Sequence, residues 1–333
     1  MTANHFEARF TACFKDPIAL STVNGARLVN RSATHGAEKQ DQTTDVFSEK
    51  WVKYDDSDEQ DALYEFQRNW YLELYGFGSE AALRAFLADK AVIFDAGCGL
   101  GYKAAWFAEL APHAVVIGMD FSQAAELAAA RYTHLKNLFF VRGDIADTGF
   151  HDGAISYTSC DQVIMHTEDP EATFAELARI TDRSGEVACY FYAKKALPRE
   201  LLDDYFRIHC KSMSTAALWE MSAQLTELGR RLSALDVTFE APDIPELGIK
   251  GGTYDIQRFI YWNFLKCFWN SELGEETSTS TNFDWYSPSN ARRFSRQDVF
   301  DIAQKSGLNV QFLHEEPACY AGRFVREWST LCR

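Results

Sequence analysis

Apolar and polar positions divide the 333-residue chain into three stretches. Up to about Lys90 the pattern is helical and interrupted. Phe6, Phe10 and Phe14 recur every fourth residue, the stripe of a short amphipathic helix. A polar run, NRSATHGAEKQDQTTD, reads as loop. EQDALYEFQRNWYLELYG predicts an aromatic-rich helix ending at Gly76, and SEAALRAFLADK a second, opened by Ser79. From 91 to 193 short apolar runs alternate with helix-length segments. AVIFD, AVVIGMD, LFFVRGD, GAISYT and EVACYFYA predict five strands. GYKAAWFAELAPH, SQAAELAAARYTHL and DPEATFAELARITDRSG predict three helices, the second capped by Ser122 and the third by Asp169, with Pro170 in its first turn and Gly185 past its end. From 194 to 285 the pattern is mostly helical and carries QRFIYWNFLKCFW, apolar on nearly every side. The last segment predicts helix, strand, turn, strand.

Strands apolar throughout and separated by helices imply βαβ units with both sheet faces covered, hence a doubly wound α/β fold. The expected organisation is a helical cap at 1–90, a Rossmann-like core at 91–193, a helical lid at 194–285, and a helix and strand pair at 286–333 completing the sheet.

Composition narrows the partners. Asp+Glu 48 against Lys+Arg 33 gives a formal charge of -15, which excludes a polyanion-binding surface built from clustered basic residues. Nucleic acid is not the expected partner. No run reaches the roughly 18 apolar residues of a membrane span, and MTANHFEARFTACFKDP lacks a signal peptide's apolar core. The eight cysteines show no C-x-x-C pair, so neither a zinc site nor a disulfide framework is expected. These features describe a cytoplasmic, soluble protein, and the roughly 90-residue lid implies an enclosed pocket for a small-molecule substrate. The phenylalanine stripe is a surface for its own chain or for a second copy, a homodimer.

The densest chemistry is VIFDAGCGLGY, residues 92–102. In a doubly wound sheet, ligands sit beyond the carboxyl ends of the strands, and the loop after the first core strand lies there. Gly97, Gly99 and Gly101 let backbone approach a ligand, and the next helix presents free N–H groups. A dinucleotide fingerprint places its third glycine three residues after the second, where this chain has Tyr102. The actual spacing, D-x-G-x-G-x-G from Asp95, resembles the first motif of the class I (Rossmann-fold) S-adenosylmethionine-dependent methyltransferases.

That resemblance implies a mostly parallel seven-stranded sheet whose last strand is antiparallel, with S-adenosylmethionine as cofactor and no metal. It implies donor contacts from Asp95, Gly97, Cys98, Gly99 and Gly101, ribose contacts from Asp120 beside Phe121, and adenine contacts from Asp144 and Ile145. Asp144 is alternatively a plain turn residue. The loop SCDQVIMHTEDP is similar to the segment beside the methyl donor. Many relatives read His-His-Thr there, and this chain has Met165, His166 and Thr167. His166 and Asp161 are the candidate proton acceptors, and Cys160 lines the donor site. Trp51, in a Phe-to-Trp lead-in similar to some small-molecule members, is a candidate substrate contact with Tyr192, Trp285 and Tyr286. Trp285 and Tyr286 either wall the site or staple the lid. Acidity and aromatic richness favour N-methylation of an amine or guanidino compound over O- or C-methylation. A nicotinamide-dependent oxidoreductase and a non-catalytic donor-binding protein are the alternatives from other classes.

Overall fold

The structure, a computed structural model, describes residues 3–31, 42, 43 and 60–326. Helix α1 (Ala3–Thr11) precedes a hairpin of β1 (Ser21–Val23) and β2 (Ala26–Asn30), then α2 (Gln60–Leu74) and α3 (Glu80–Leu87). The alternating core is β3 (Val92–Ala96), α4 (Tyr102–Leu110), β4 (Val115–Asp120), α5 (Ala124–Arg131), β5 (Leu138–Arg142), β6 (Ile155–Cys160), α6 (Pro170–Ile180) and β7 (Thr181–Tyr192). The insertion contains α7 (Leu197–Cys210), α8 (Thr215–Ser233), β8 (Thr238–Ala241), β9 (Gly252–Asp255), α9 (Ile256–Asn263) and α10 (Gly274–Tyr286). Then come α11 (Arg296–Lys305), β10 (Leu308–Glu315) and β11 (Cys319–Arg326).

The main sheet runs β1-β2-β5-β4-β3-β6-β7-β11-β10. From β2 to β7 every neighbouring pair is parallel, and β11 enters antiparallel between β7 and β10. All five residues of β3 are buried, as a central strand covered on both faces requires.

Nine strands, rather than the expected seven, make up this sheet. The extra pair is the β1–β2 hairpin, which lies in a stretch read as helix and loop. Its turn is Asn24-Gly25 with φ of 52° and 85°. Two consecutive left-handed residues match the twist of paired strands, which is why Asn-Gly is a hairpin signal. β2 then extends the sheet beside β5, pairing Leu28 with Phe140.

Smaller differences have local causes. Helix α6 stops at Ile180 and β7 begins at once, so Gly185 lies inside a strand, where a Cβ would come within 2.8 Å of the Ser156 carbonyl oxygen. The N-cap of α5 is Gln123; Ser122 instead accepts the Ala124 N–H at 3.2 Å. In the insertion, β8 and β9 form a separate hairpin, and the apolar run 257–269 is not one helix. α9 ends at Asn263, and the segment after it is pinned by Asn282, which accepts from Phe268 N at 2.8 Å and donates to Phe268 O at 3.0 Å.

The Phe6/Phe10/Phe14 stripe is used within the chain: Phe10 stacks on Phe139 with centroids 4.4 Å apart, and Phe14 meets Phe150 edge-on. No helix among the described residues is long and apolar enough to cross a membrane. The seven described cysteines are unpaired and buried.

Candidate active site

The loop after β3 folds back over the end of β4. Gly97 N and Cys98 N both donate to Met119 O, at 2.7 and 3.0 Å. Gly97 has φ +78°, and a Cβ there would lie 2.4 Å from Val163. Gly101, the N-cap of α4, has φ +76°, and its Cβ would lie 2.7 Å from Phe140 and 2.8 Å from Ala128. Left-handed backbone and crowding together demand glycine at both positions. Cys98 faces inward and is buried.

Two carboxylates bracket this loop. Asp120, at the tip of β4, accepts from Gly99 N at 2.9 Å with Oδ2, and from Ser122 N and Oγ at 2.9 and 2.6 Å with Oδ1. Phe121 beside it is half-buried. Asp95, in β3, is only 2% exposed, and its Oδ2 has no hydrogen-bond partner among the described residues. Burial pushes its carboxyl up to about 7, with Asp161 and Asp120 adding to the rise and Lys103 opposing it.

Beyond β5, Asp144 Oδ1 accepts from Ala146 N at 2.8 Å, the turn-residue role, while Ile145 is buried alongside. At the end of β6, Cys160 is fully buried in the main apolar cluster opposite Cys189, so its side chain packs in the core rather than against a ligand. Asp161 is occupied. Lys103 Nζ lies 2.5 Å from its Oδ2, Tyr75 donates to Oδ1 at 2.9 Å, and both charged side chains are buried. Burial alone would depress Lys103, yet Asp161, Tyr102 and Asp95 hold it above the ordinary lysine range. Asp161 therefore anchors the base of the site, and the proton-acceptor role expected of it does not suit a carboxylate locked in a buried ion pair.

His166 sits in a single 3₁₀ turn, Ile164–His166, with Nδ1 2.7 Å from the Asn290 carbonyl oxygen and its ring edge-on to Tyr192. A carbonyl oxygen only accepts, so Nδ1 carries hydrogen. The loop that supplies Asn290 is itself held: Ser289 N donates to Gln42 and Asn290 N to Thr43.

Residues 94–189 match the methyltransferase-domain family. The core of this chain is thus similar to a methyltransferase domain. An "uncharacterized methyltransferase" of Schizosaccharomyces pombe is 35% identical over 106 residues, 29% of this chain and 38% of that protein. A trans-aconitate 2-methyltransferase of Deinococcus radiodurans is 42% identical over 67 residues, 20% of this chain and 26% of that protein. The chain thus spans well under half the length of the curated relatives it matches. A magnesium protoporphyrin IX methyltransferase from Synechocystis, solved with bound S-adenosylmethionine, superimposes with TM-score 0.45 and 14% identity over 89% of this chain and 100% of that one.

The methyltransferase domain's loop residues fit the donor. A buried Asp95 oxygen without a partner calls for a donor group from a ligand, and an ammonium such as that of S-adenosylmethionine supplies one. Trp285 and Tyr286 pin the end of α10 to α7. Trp285 Nε1 and Tyr286 Oη donate to the two oxygens of the fully buried Asp203, at 2.7 and 2.8 Å. Trp285 also faces Tyr192, with centroids 5.0 Å apart, so one indole joins the insertion to the end of β7. Tyr190, on the same strand face, is buried core. Trp51 lies outside the described residues.

Sequence reasoning missed Lys103 and the basic residues around Trp285. Lys103 was detectable as the one basic residue in the largely apolar YKAAWFAEL, and Lys266 as a lone charge in FLKCFW. Buried cations around the lid aromatics also argue against the cationic acceptor that overall acidity suggested, because like charges repel most where water is excluded.

Proposed function

We propose that this chain transfers a methyl group from S-adenosylmethionine to a small molecule held between the methyltransferase domain and the 194–285 insertion. The observation that carries this reading is the buried Asp95 oxygen, poised beside a glycine loop whose Gly99 N–H is already set by Asp120. Asp95, Gly97, Gly99 and Gly101 would hold the amino-acid part of the donor, Asp120 its ribose, and Asp144 with Ile145 its adenine.

The donor, when bound, supplies an electrophilic methyl group. The chain's residues supply alignment and water exclusion, the terms that dominate an in-line displacement. The Lys103–Asp161 pair, with Tyr75 from α2, fixes the floor. His166 Nε2 is the group able to take a proton from a hydroxyl or amine acceptor, with Asn290 O holding the ring in the required tautomer. The four-part division at 90, 193 and 285 suits this assembly, although β1 and β2 tie the first part into the sheet. A net charge of -15 favours a small-molecule partner over nucleic acid, and buried unpaired thiols suit the cytoplasm.

Incubation with methyl-labelled donor and a panel of acidic and hydroxylated metabolites tests the reading. His166→Gln is expected to lower kcat roughly 100-fold with donor affinity unchanged. Donor binding without transfer to any acceptor would support the non-catalytic alternative, and an unchanged kcat would remove His166 from the chemistry.

A further inference from the structure

Four cations surround the Trp285 indole. Lys266 Nζ lies 4.7 Å from its ring centroid, and Lys195 Nζ lies at 5.7 Å. The Arg199 and Arg207 guanidinium carbons each lie at 5.2 Å. Among the described residues one fully buried carboxylate, Asp203, serves this group, and it is spent on Arg199 Nε at 2.8 Å plus the Trp285 and Tyr286 donors. Asp284 adds attraction at Lys266.

The remaining three cations are poorly matched. Lys266 is 6% exposed, and among the described residues its ammonium has one hydrogen bond, to Tyr261 Oη at 3.4 Å. Lys195 donates to two backbone carbonyls, Ala193 O and Ala318 O, which are neutral. Arg207 Nε has no hydrogen-bond partner among the described residues, and its nearest carboxylate, the exposed Asp204, stands 3.7 Å from Nη1. Burial pushes both Lys195 and Lys266 down to about 7, with Arg199 adding to each fall. A chain carrying -15 overall has concentrated positive charge in one dry place, next to Tyr192 and within one ring of His166. Unmatched buried charge costs stability, and sites that carry such a cost are commonly functional.

We infer that Lys195, Lys266 and Arg207 form an anion subsite and that the methyl acceptor carries a carboxylate or phosphate seated there. The assignment of that anion as acceptor rests on the methyltransferase reading; the subsite itself rests on the cation cluster. An anion held at Trp285 would place the rest of the acceptor past Tyr192 toward His166. Aromatic walls around the cluster exclude water and strengthen each charge–charge contact.

Calorimetric titration of the full chain with trans-aconitate, phenyl phosphate and histamine separates the cases, with S-adenosylhomocysteine titrated in parallel. One of the two anions is expected to bind and histamine is not; which anion binds distinguishes carboxylate from phosphate. Lys266→Met is expected to weaken that anion at least tenfold, to leave S-adenosylhomocysteine binding unchanged, and to keep or raise the melting temperature. A purely structural lysine would instead lower the melting temperature when replaced, and that result overturns the proposal. Lys195→Met gives a second, independent variant. Donor-product binding with neither anion bound overturns the subsite and spares the methyltransferase reading. Anion binding with no donor-product binding does the reverse.

Discussion

At the scale of single residues, Asp95 concentrates the tension of the site. Its carboxyl is raised to about 7, so in the empty fold the proton is held up to neutral pH. A ligand ammonium needs the ionised form, so binding must release that proton as pH falls below 7. Donor affinity measured by calorimetry should therefore decline below about pH 7. Asp95→Asn should weaken binding by about tenfold or more at pH 8 and flatten that acidic limb, since a charge-assisted hydrogen bond contributes about 1.5–3 kcal/mol. An unchanged limb would place the titrating group elsewhere. Gly101→Ala tests the loop independently of chemistry. With φ +76° and contacts of 2.7 and 2.8 Å awaiting a methyl, it should lower stability by about 1–3 kcal/mol in denaturant unfolding.

At the scale of elements, the Lys103–Asp161 pair joins α4 to the end of β6, and Tyr75 adds α2. Removing one partner leaves the other charge buried and unpaired. Lys103→Met alone should cost about 3–5 kcal/mol of unfolding free energy, with Asp161→Asn in combination restoring much of it. Additive losses in that cycle would mean the two charges are not coupled. How much of this was legible beforehand follows from what each signal measures. The five core strands and their order of motifs were readable because burial on both faces leaves continuous apolar runs, and Asp95, Asp120 and Asp144 interrupt those runs at their tips. The β1–β2 hairpin was missed because its strands are three and five residues long, too short for periodicity; only Asn24-Gly25 marked the turn. The boundary between α6 and β7 was misplaced because Gly185 resembles a helix terminator, whereas Thr181, hydrogen-bonded to Thr158, already begins the strand. The ion pair of Lys103 was invisible because its partner lies 58 positions away.

At the scale of the whole molecule, net charge misleads about the interior. A formal -15 sums mainly solvated side chains, while Arg199, Arg207 and Lys266 are buried around one tryptophan. The pH dependence of stability exposes that difference. Lys195 and Lys266 have folded values near 7, well below the unfolded lysine range, so the fold prefers them neutral. Their cost is complete below pH 7 and is progressively relieved as pH rises above it. Lys266→Met removes its share, so the stability difference between variant and wild type should favour the variant at pH 6 and shrink toward pH 9. A constant difference across that range would show Lys266 to be titrating normally.

The central claim is that the glycine loop with its strand-tip carboxylates binds S-adenosylmethionine. Calorimetric titration with S-adenosylhomocysteine, the donor's product form, tests it most directly, comparing the natural chain with Asp120→Ala. One binding event per chain is expected, with its loss in the variant, whose melting remains cooperative. No heat with the natural chain, or full binding by the variant, would contradict it.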